Sequence, residues 1–225
     1  MKPRITLAEA TTPGGHTLTL QSHDNRIAIL SHGEQICGPA TRACEEELAR
    51  LACAPFRPVR QPKIWIAGAG LGSIASVVAR ELTQKRGQFI IAEPVADIIA
   101  WHRDHLDASP LIADDRFTTE ADPGVGGLHQ HAGALHAIIV HLDASPDGDD
   151  GKRLPENPRW LAAAYEALIS GGLLAIGGTR PLPGLYRKLR RQGFDVADHV
   201  VPSSLVAKKP RMLPILLARK GQYRG

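Results

Sequence analysis

Aromatic residues are scarce in this sequence of 225 residues, which holds only four phenylalanines, three tyrosines and three tryptophans. So few rings cannot supply the stacking platforms on which single-stranded nucleic acids bind, nor an aromatic wall for sugars. Hydrophobic residues nevertheless make up 43% of the chain, close to the globular average, so disorder is not indicated. The core must therefore consist of leucine, isoleucine, valine and alanine.

Cysteine and long apolar runs are also in short supply. The three cysteines, Cys37, Cys44 and Cys53, are odd in number and contain no CxxC pair, which excludes a disulfide framework and a zinc ribbon. No apolar leader follows the first methionine, and the longest uncharged apolar stretch, residues 64–78, is shorter than the roughly 18 residues that a membrane span needs. We therefore expect a cytoplasmic protein with no membrane partner.

A strong excess of one charge is missing too, because 27 lysines and arginines face 23 acidic residues and give a formal net charge of +4. Much of the basic excess lies in two late clusters, at residues 187–191 and 208–211. An excess this small and local predicts a solvated face and no nucleic-acid partner.

The first quarter of the chain has the pattern of a small β structure. Residues 16–37 contain short alternating runs separated by turn-forming residues, which predicts an antiparallel meander. A helix is expected over residues 43–53, and the three prolines in residues 54–62 predict irregular structure there. We therefore divide the chain into three parts: the meander and helix (1–54), a proline-rich linker (55–62) and a larger domain (63–225).

Beyond the linker, the sequence alternates between strand and helix patterns. Short runs typical of strands occur at residues 64–67, 89–92, 116–120, 136–140 and 173–176, and helical spacing occurs at residues 73–82, 95–106, 158–169 and 185–191. Two last strands, near residues 196–201 and 212–217, have no helix between them. This alternation predicts an α/β fold with a mostly parallel seven-stranded sheet, helices on both faces and a closing antiparallel hairpin.

A glycine-rich loop follows the first strand of this larger domain. Gly68, Gly70 and Gly72 are spaced as GxGxG, with Ser73 where a dinucleotide-binding fingerprint has its last glycine. Glycines let a backbone approach a ligand, and the following helix offers unpaired N–H groups to an anion. The loop therefore predicts a ligand-binding turn, and a tight strand-to-helix connection without a ligand is the alternative.

Two acidic residues stand at the carboxyl ends of the next two strands, where ligands bind in open α/β sheets. Glu93 ends the second strand, and a carboxylate there can accept both hydroxyls of a ribose. Asp122 lies just past the third strand, where a carboxylate could accept the amino group of an adenine. Together with the glycine loop they favour a nucleoside site, while an exposed strand-end acid and a loop aspartate are the alternatives.

The fourth strand ends at a histidine and an aspartate that are candidates for chemistry. His141 could act as a general base near neutral pH, or it could simply bond to backbone. Asp143 is suited to contact a cationic ligand by charge attraction. His129 and His131 lie in a glycine-rich loop, and His136 is on the opposite face of the strand from His141, so we predict no metal site.

These features together resemble the class I S-adenosylmethionine-dependent transferases, and more closely the spermidine synthase-like group. The segments that carry the likeness are residues 62–72 with the glycine loop, residues 91–93, Asp122 and residues 167–176. The meander and the Glu-rich first helix fit that group's small N-terminal β domain. The resemblance implies a Rossmann-like class I methyltransferase fold, a homodimer, and a cofactor that is S-adenosylmethionine or its decarboxylated form.

The resemblance also implies a role for each candidate residue. The backbone and side chains of the glycine loop would contact the amino-acid end of the cofactor, the strand-end acids would bind its nucleoside, and a group after the fourth strand would take a proton from the acceptor. In that order these residues are Gly68, Gly70, Leu71 and Gly72; Glu93 for the ribose and Asp122 for the adenine; and His141 or Asp143.

Three positions depart from the spermidine synthase-like group. Leu71 and His141 stand where spermidine synthases have an aspartate in the glycine motif and a catalytic aspartate after the fourth strand, and residues 44–46 read Cys-Glu-Glu in place of a Tyr-His-Glu cluster. Because pairing two ammonium groups requires carboxylates, a polyamine acceptor is disfavoured. We expect methyl transfer to a small-molecule acceptor; aminopropyl transfer, a non-catalytic nucleoside-binding or scaffold protein, and a dehydrogenase are the alternatives.

Overall fold

A computed structural model of the chain describes residues 3–107, 109–148, 151–180, 183–203 and 208–221. The strands are β1 (Ile5–Thr11), β2 (Thr17–His23), β3 (Arg26–Ser31), β4 (Glu34–Cys37), β5 (Lys63–Ala67), β6 (Gln88–Ala92), β7 (Phe117–Glu120), β8 (Leu135–His141), β9 (Leu168–Gly177), β10 (Phe194–Pro202) and β11 (Met212–Lys220). The helices are α1 (Arg42–Cys53), α2 (Ser73–Glu81), α3 (Ala96–Asp104), α4 (Pro110–Ala113), α5 (Val125–His129), α6 (Pro158–Ala167) and α7 (Leu185–Arg191). Within these ranges no helix is long and apolar enough to cross a membrane.

The N-terminal sheet pairs β1, β2, β3 and β4 in sequential order, each antiparallel to the next. The turn between β2 and β3 holds Asp24 and Asn25 at positive φ, a conformation that these short polar residues adopt more readily than most. The predicted meander is therefore present. It is extended by β1, a strand that the sequence pattern did not indicate.

The segment that follows α1 differs from expectation. The prolines predict irregular structure over residues 54–62, but Ala54–Phe56 form a 3-10 turn continuous with α1 and bury the ring of Phe56. Proline is tolerated at the first positions of a helical turn, which is where Pro55 lies. The domain boundary at this linker stays a prediction, because α1 packs against α2, β8 and β9 and joins both parts in one apolar core.

The large sheet has seven strands in the order β10-β11-β9-β8-β5-β6-β7. The five strands from β9 to β7 are parallel, while β11 pairs antiparallel with both β9 and β10. This confirms the mostly parallel sheet with a closing hairpin. Pro202 ends the edge strand β10, and Pro214 precedes Ile215, where the pairing of β11 with β9 begins, so neither proline interrupts the ladder between β9 and β11.

Helices cover both faces of the large sheet, which is why its central strands are almost continuously apolar. Successive residues of β5 point to opposite faces, so that Trp65 belongs to one apolar core and Ile66 to the other. The core around Ile66 is completed by α1, α2, α3 and the N-terminal sheet, and the core around Trp65 by α5, α6 and α7.

The parallel strands deliver the candidate site residues to one edge of the sheet. The N–H of Gly68 donates to the carbonyl of Ala92 over 2.9 Å, and the N–H of Glu93 donates to the carbonyl of Glu120 over 2.8 Å. These bonds tie together the carboxyl ends of β5, β6 and β7. The N-terminal sheet lies over the same edge, and a cavity separates the two.

Candidate functional site

The glycine loop needs glycine at its three predicted positions. Gly68, Gly70 and Gly72 have φ values of +86°, +50° and +80°, which residues with a side chain rarely adopt. A Cβ atom on Gly68 would also lie 2.9 Å from the carbonyl oxygen of Ala144. Side chains at these positions would collide with neighbouring parts of the protein, Gly70 is the loop glycine that lines the cavity, and Gly72 caps the start of α2 in the left-handed conformation.

A buried histidine that sequence reasoning missed holds the loop in place. Nε2 of His102 lies 3.0 Å from the carbonyl oxygen of Gly70, and Nδ1 lies 2.7 Å from the hydroxyl of Ser109. Since a carbonyl only accepts, Nε2 donates, and burial lowers the pKa of His102 so that Nδ1 is free to accept. A signal existed: His102 is four residues after the buried Ile98 and therefore on the inward side of α3.

Glu93 ties the loop to the end of β6. Its Oε2 accepts from the N–H of Ala69 and its Oε1 from the N–H of Val95, both over 3.0 Å. The side chain is buried, and this burial raises the pKa of Glu93 to about 7, even though both backbone donors favour the ionised form. Each oxygen keeps a lone pair for a further donor.

The raised pKa of Glu93 predicts that the ligand-free protein loses stability as this group ionises. Between pH 4.5, the ordinary pKa of a glutamate, and about pH 7, its pKa in the folded protein, the unfolded chain binds fewer protons than the folded one. The free energy of unfolding therefore falls as pH rises through this range. The shift corresponds to roughly 3 kcal/mol. Urea titrations across this window should show wild type losing about that amount relative to Glu93→Gln. A difference that stays constant with pH contradicts this prediction.

Asp122 lies in a depression that adjoins the one beside Glu93. Its Oδ1 accepts from the N–H of Gly124 over 2.7 Å. It lines a cavity of about 590 Å³ that shares Val95 and Pro146 with the cavity that Glu93 lines. A ligand lying along Val95 could therefore reach both acids. The role of Asp122 toward an adenine stays a prediction.

The cavity between the two sheets has a volume of about 300 Å³. The N-terminal sheet and the carboxyl ends of the large sheet face each other across it. Its lining includes Leu18, Ile29 and Cys37 on the first side, and Gly70, Glu93 and Asp143 on the second. The strands thus bring three of the predicted residues to one cavity.

Asp143 is held at this cavity by Thr179, two residues past the end of β9. Its Oδ2 accepts from the N–H of Thr179 over 2.6 Å, and its Oδ1 accepts from the Thr179 hydroxyl over 2.9 Å. Only 13% of the Asp143 side chain is exposed. The carboxylate is fixed in direction and retains lone pairs toward the cavity. Sequence reasoning did not find Thr179, which is 36 residues away in the chain.

His141 lies behind Asp143 and outside the lining of the cavity. Its side chain is 1% exposed, and neither ring nitrogen has a hydrogen-bond partner among the described residues. Nε2 is 4.0 Å from Oδ2 of Asp143. Burial lowers the pKa of His141, although the charges of Glu45 and Asp143 act in the opposite direction. The ring is therefore neutral at physiological pH. Its predicted catalytic role stays a prediction.

Leu71 points away from the candidate cofactor cavity. Its half-buried side chain packs against the core and lines a different depression, together with Arg42 of α1 and Val77 of α2. The predicted contact of this loop position with the cofactor therefore rests on the backbone, and it stays a prediction.

Cys37 and Glu45 form a buried link between the N-terminal sheet and the glycine loop, which sequence reasoning also missed. Cys37 ends β4, and its Sγ would lie 3.2 Å from a Cβ on Gly70. The thiol donates to Oε1 of Glu45 over 3.3 Å, and the Thr41 hydroxyl donates to the same oxygen over 2.7 Å. Burial raises the pKa of Cys37 well above its ordinary value, so this thiol packs as a neutral group.

Two of the histidines that invite a metal site, His131 and His136, bond to other groups. His131 lies 3.0 Å from both carboxylate oxygens of Glu120, and its other ring nitrogen lies 3.2 Å from Nζ of Lys63. His136 accepts from the N–H of Lys63. In the part of the chain that the structure describes, no group of three histidine, cysteine or acidic residues is arranged to hold a metal ion.

Comparison with known proteins by sequence finds nothing: no family model matches the chain, and no curated protein does. Solved structures match its fold. The spermidine synthase of Thermotoga maritima aligns over 96% of this chain and 73% of its own length, with a TM-score of 0.74 and 17% identity. A spermidine synthase in complex with the transition state analogue AdoDATO aligns over 96% and 74%, with a TM-score of 0.76 and 17% identity.

Methyltransferases match as well. The precorrin-6y C5,15-methyltransferase of Geobacter metallireducens aligns over 76% of this chain and 87% of its own length, with a TM-score of 0.57 and 16% identity. A predicted O-methyltransferase of Agrobacterium tumefaciens covers 77% of this chain at a TM-score of 0.52 and 20% identity. At such identities the likeness is one of fold. The chain has the Rossmann-like fold that spermidine synthases and these methyltransferases share, as the sequence resemblance implies.

Proposed function

We propose that this chain is an S-adenosylmethionine-dependent transferase that methylates a small-molecule acceptor. The observation that carries the proposal is the position of Glu93. Its buried carboxylate is bonded to the glycine loop at Ala69 and lines the same cavity as Asp143. The acid that we propose binds the nucleoside and the proposed proton acceptor thus face one space, which is the arrangement that group transfer from a nucleoside cofactor requires.

The residues present fit such a cofactor. Glu93 would accept the ribose hydroxyls, Asp122 would accept the adenine amino group, and the backbone of the glycine loop would approach the amino-acid end. When bound, the cofactor supplies a carbon attached to a good leaving group, its sulfonium sulfur. The protein then has to align the acceptor, exclude water and accept a proton.

Asp143 suits the role of proton acceptor better than His141 does. Its carboxylate lines the cavity and is held by Thr179, whereas the ring of His141 is buried behind it. A general base must come within hydrogen-bond reach of the proton it removes. His141 would act on the acceptor only through Asp143, as a neutral neighbour whose Nε2 lies 4.0 Å from Oδ2 of the carboxylate.

Aminopropyl transfer from decarboxylated S-adenosylmethionine is the second candidate. It is favoured by the alignment with spermidine synthases, which covers 96% of this chain and therefore includes its N-terminal sheet. It is disfavoured by Leu71 and His141, which stand where spermidine synthases carry acids. We therefore rank methyl transfer first.

Calorimetric titration tests the proposal. S-adenosylmethionine and its thioether product, S-adenosylhomocysteine, should both bind, and more tightly than the decarboxylated form. Tighter binding of the decarboxylated form would shift the conclusion to aminopropyl transfer. A folded protein that gives no heat with any of the three is not a transferase of this kind. The thioether product serves as the stable ligand for comparing variants.

A further inference from the structure

The half of the cavity away from Glu93 has a mixed lining. The inner face of the N-terminal sheet contributes apolar side chains such as Leu18 and Ile29, both buried. Two arginines also line the cavity: Arg180, which follows the Thr179 that holds Asp143, and Arg153, which is paired with Asp147 by an isolated β-bridge. If the nucleoside lies along Glu93 and Val95, this half is the space left for the acceptor.

The acidic groups of the cavity already have partners within the protein. Both oxygens of Glu93 accept from backbone N–H groups, and both oxygens of Asp143 accept from Thr179. Oε2 of Glu34 lies 3.8 Å from Nη2 of Arg180. Asp147, the remaining acidic residue of the lining, is not free either. With the nucleoside at Glu93, Asp143 keeps lone pairs for one ammonium group of a diamine, and the second ammonium group would have to compete with Arg180 for Glu34.

The basic group nearest the proposed proton acceptor, Arg180, is only weakly engaged. The ion pair between Arg180 and Glu34 joins two highly exposed side chains, and such pairs contribute little because water screens them. Arg153 is the β-bridge partner of Asp147, which also lines the cavity of Asp122, so Arg180 is the basic group left for the acceptor. A guanidinium presents two parallel N–H donors that match a carboxylate in a bidentate pair.

We propose that the acceptor carries an anionic group, of the carboxylate class, which binds Arg180 in place of Glu34. Arg180 directly follows Thr179, the residue that holds Asp143, so one short segment places both the anion-binding group and the proposed proton acceptor. The proposal rests on the proposed function, because it assigns the second substrate of that same site.

Three probes with the same four-carbon chain test the charge preference: 4-aminobutanoate, 1,4-diaminobutane and butylamine. Each is titrated into the full chain by calorimetry, with and without saturating S-adenosylhomocysteine. We expect 4-aminobutanoate to bind about tenfold more tightly than the diamine. Equal affinities, tighter binding of the diamine, or no binding of 4-aminobutanoate overturns the proposal. If S-adenosylhomocysteine itself does not bind, the proposed function is contradicted. The titrations of the three probes without S-adenosylhomocysteine still decide whether the cavity prefers an anionic ligand.

Two variants with opposite expected effects sharpen the test. Arg180→Gln should weaken 4-aminobutanoate by about tenfold and leave butylamine unchanged. Glu34→Gln removes the competing carboxylate and should tighten 4-aminobutanoate by about threefold. If this half of the cavity were built for diamines, Glu34→Gln would instead weaken 1,4-diaminobutane, which would refute the proposal. Arg187→Gln, on the exposed side of α7, is the matched control and should change none of these affinities.

Discussion

Replacing Glu93 by alanine is expected to lower the affinity for S-adenosylhomocysteine by about 100-fold. The carboxylate is the proposed acceptor for the ribose hydroxyls, and a hydrogen bond to a charged group contributes roughly 1.5–3 kcal/mol. The substitution also leaves the N–H groups of Ala69 and Val95 without their acceptor. The glycine loop then loses its tie to the end of β6. Both losses fall on the same cavity, which is why we expect so large an effect.

Calorimetry with S-adenosylhomocysteine measures this change, and two further variants control it. Glu93→Gln keeps one acceptor oxygen and should fall between alanine and wild type. Glu120→Gln changes the acid at the end of the neighbouring strand, whose carboxylate bonds to His131, and should stay within about threefold of wild type. A folded Glu93→Ala protein with wild-type affinity would exclude Glu93 from the site.

The architecture was largely predictable because its strands are buried on both faces. Runs such as residues 64–67 and 136–140 are apolar without interruption, and helical spacing separates them, which together indicates a parallel sheet. The strand β1 (Ile5–Thr11) escaped prediction because most of its residues are exposed or only partly buried, so that no apolar alternation marks it. The four and five residues of α4 and α5 are too few to display a helical period.

The sequence predicts the positions of candidate site residues only where they lie at the ends of strands, because strand ends can be located from the apolar runs. Glu93 and Asp143 follow directly from that rule, and both line the cavity. The groups that fix the site, Thr179 for Asp143 and His102 for Gly70 of the glycine loop, come from remote parts of the chain, and no local pattern connects them.

The sequence also did not show which way a side chain at the end of a strand points. His141 still pairs with Gly177 inside the sheet, and it lies on the same face as Ile139, which belongs to the core beneath α1. Its ring is therefore buried. Asp143 is two residues farther on, past the end of the strand, and can turn toward the cavity. What decides between the two candidates for proton acceptor is how far each lies beyond the last paired residue of β8. The sequence does not show where that pairing ends.

Asp143→Asn should therefore lower turnover by about 100-fold or more, because general-base catalysis typically contributes a factor of roughly 10²–10⁴. Asparagine has the same shape. Its carbonyl can accept from the Thr179 N–H and its amide can donate to the Thr179 hydroxyl, which preserves both contacts of the aspartate. Only the ability to accept a proton is lost. The affinity for S-adenosylhomocysteine should stay within about threefold of wild type.

Turnover is measured as release of the thioether from S-adenosylmethionine, with whichever of the two amine probes, 4-aminobutanoate or 1,4-diaminobutane, reacts faster. His141→Gln is the discriminating variant, since it changes the buried ring and leaves Asp143 at the cavity. We expect it to lower turnover by less than about tenfold, as for a residue that acts through a neighbour. If His141→Gln abolishes turnover while Asp143→Asn stays active, the roles are reversed. Burial of His141 in the ligand-free protein would then have to be relieved when the acceptor binds, because its ring nitrogens have no path to the cavity while the side chain is 1% exposed.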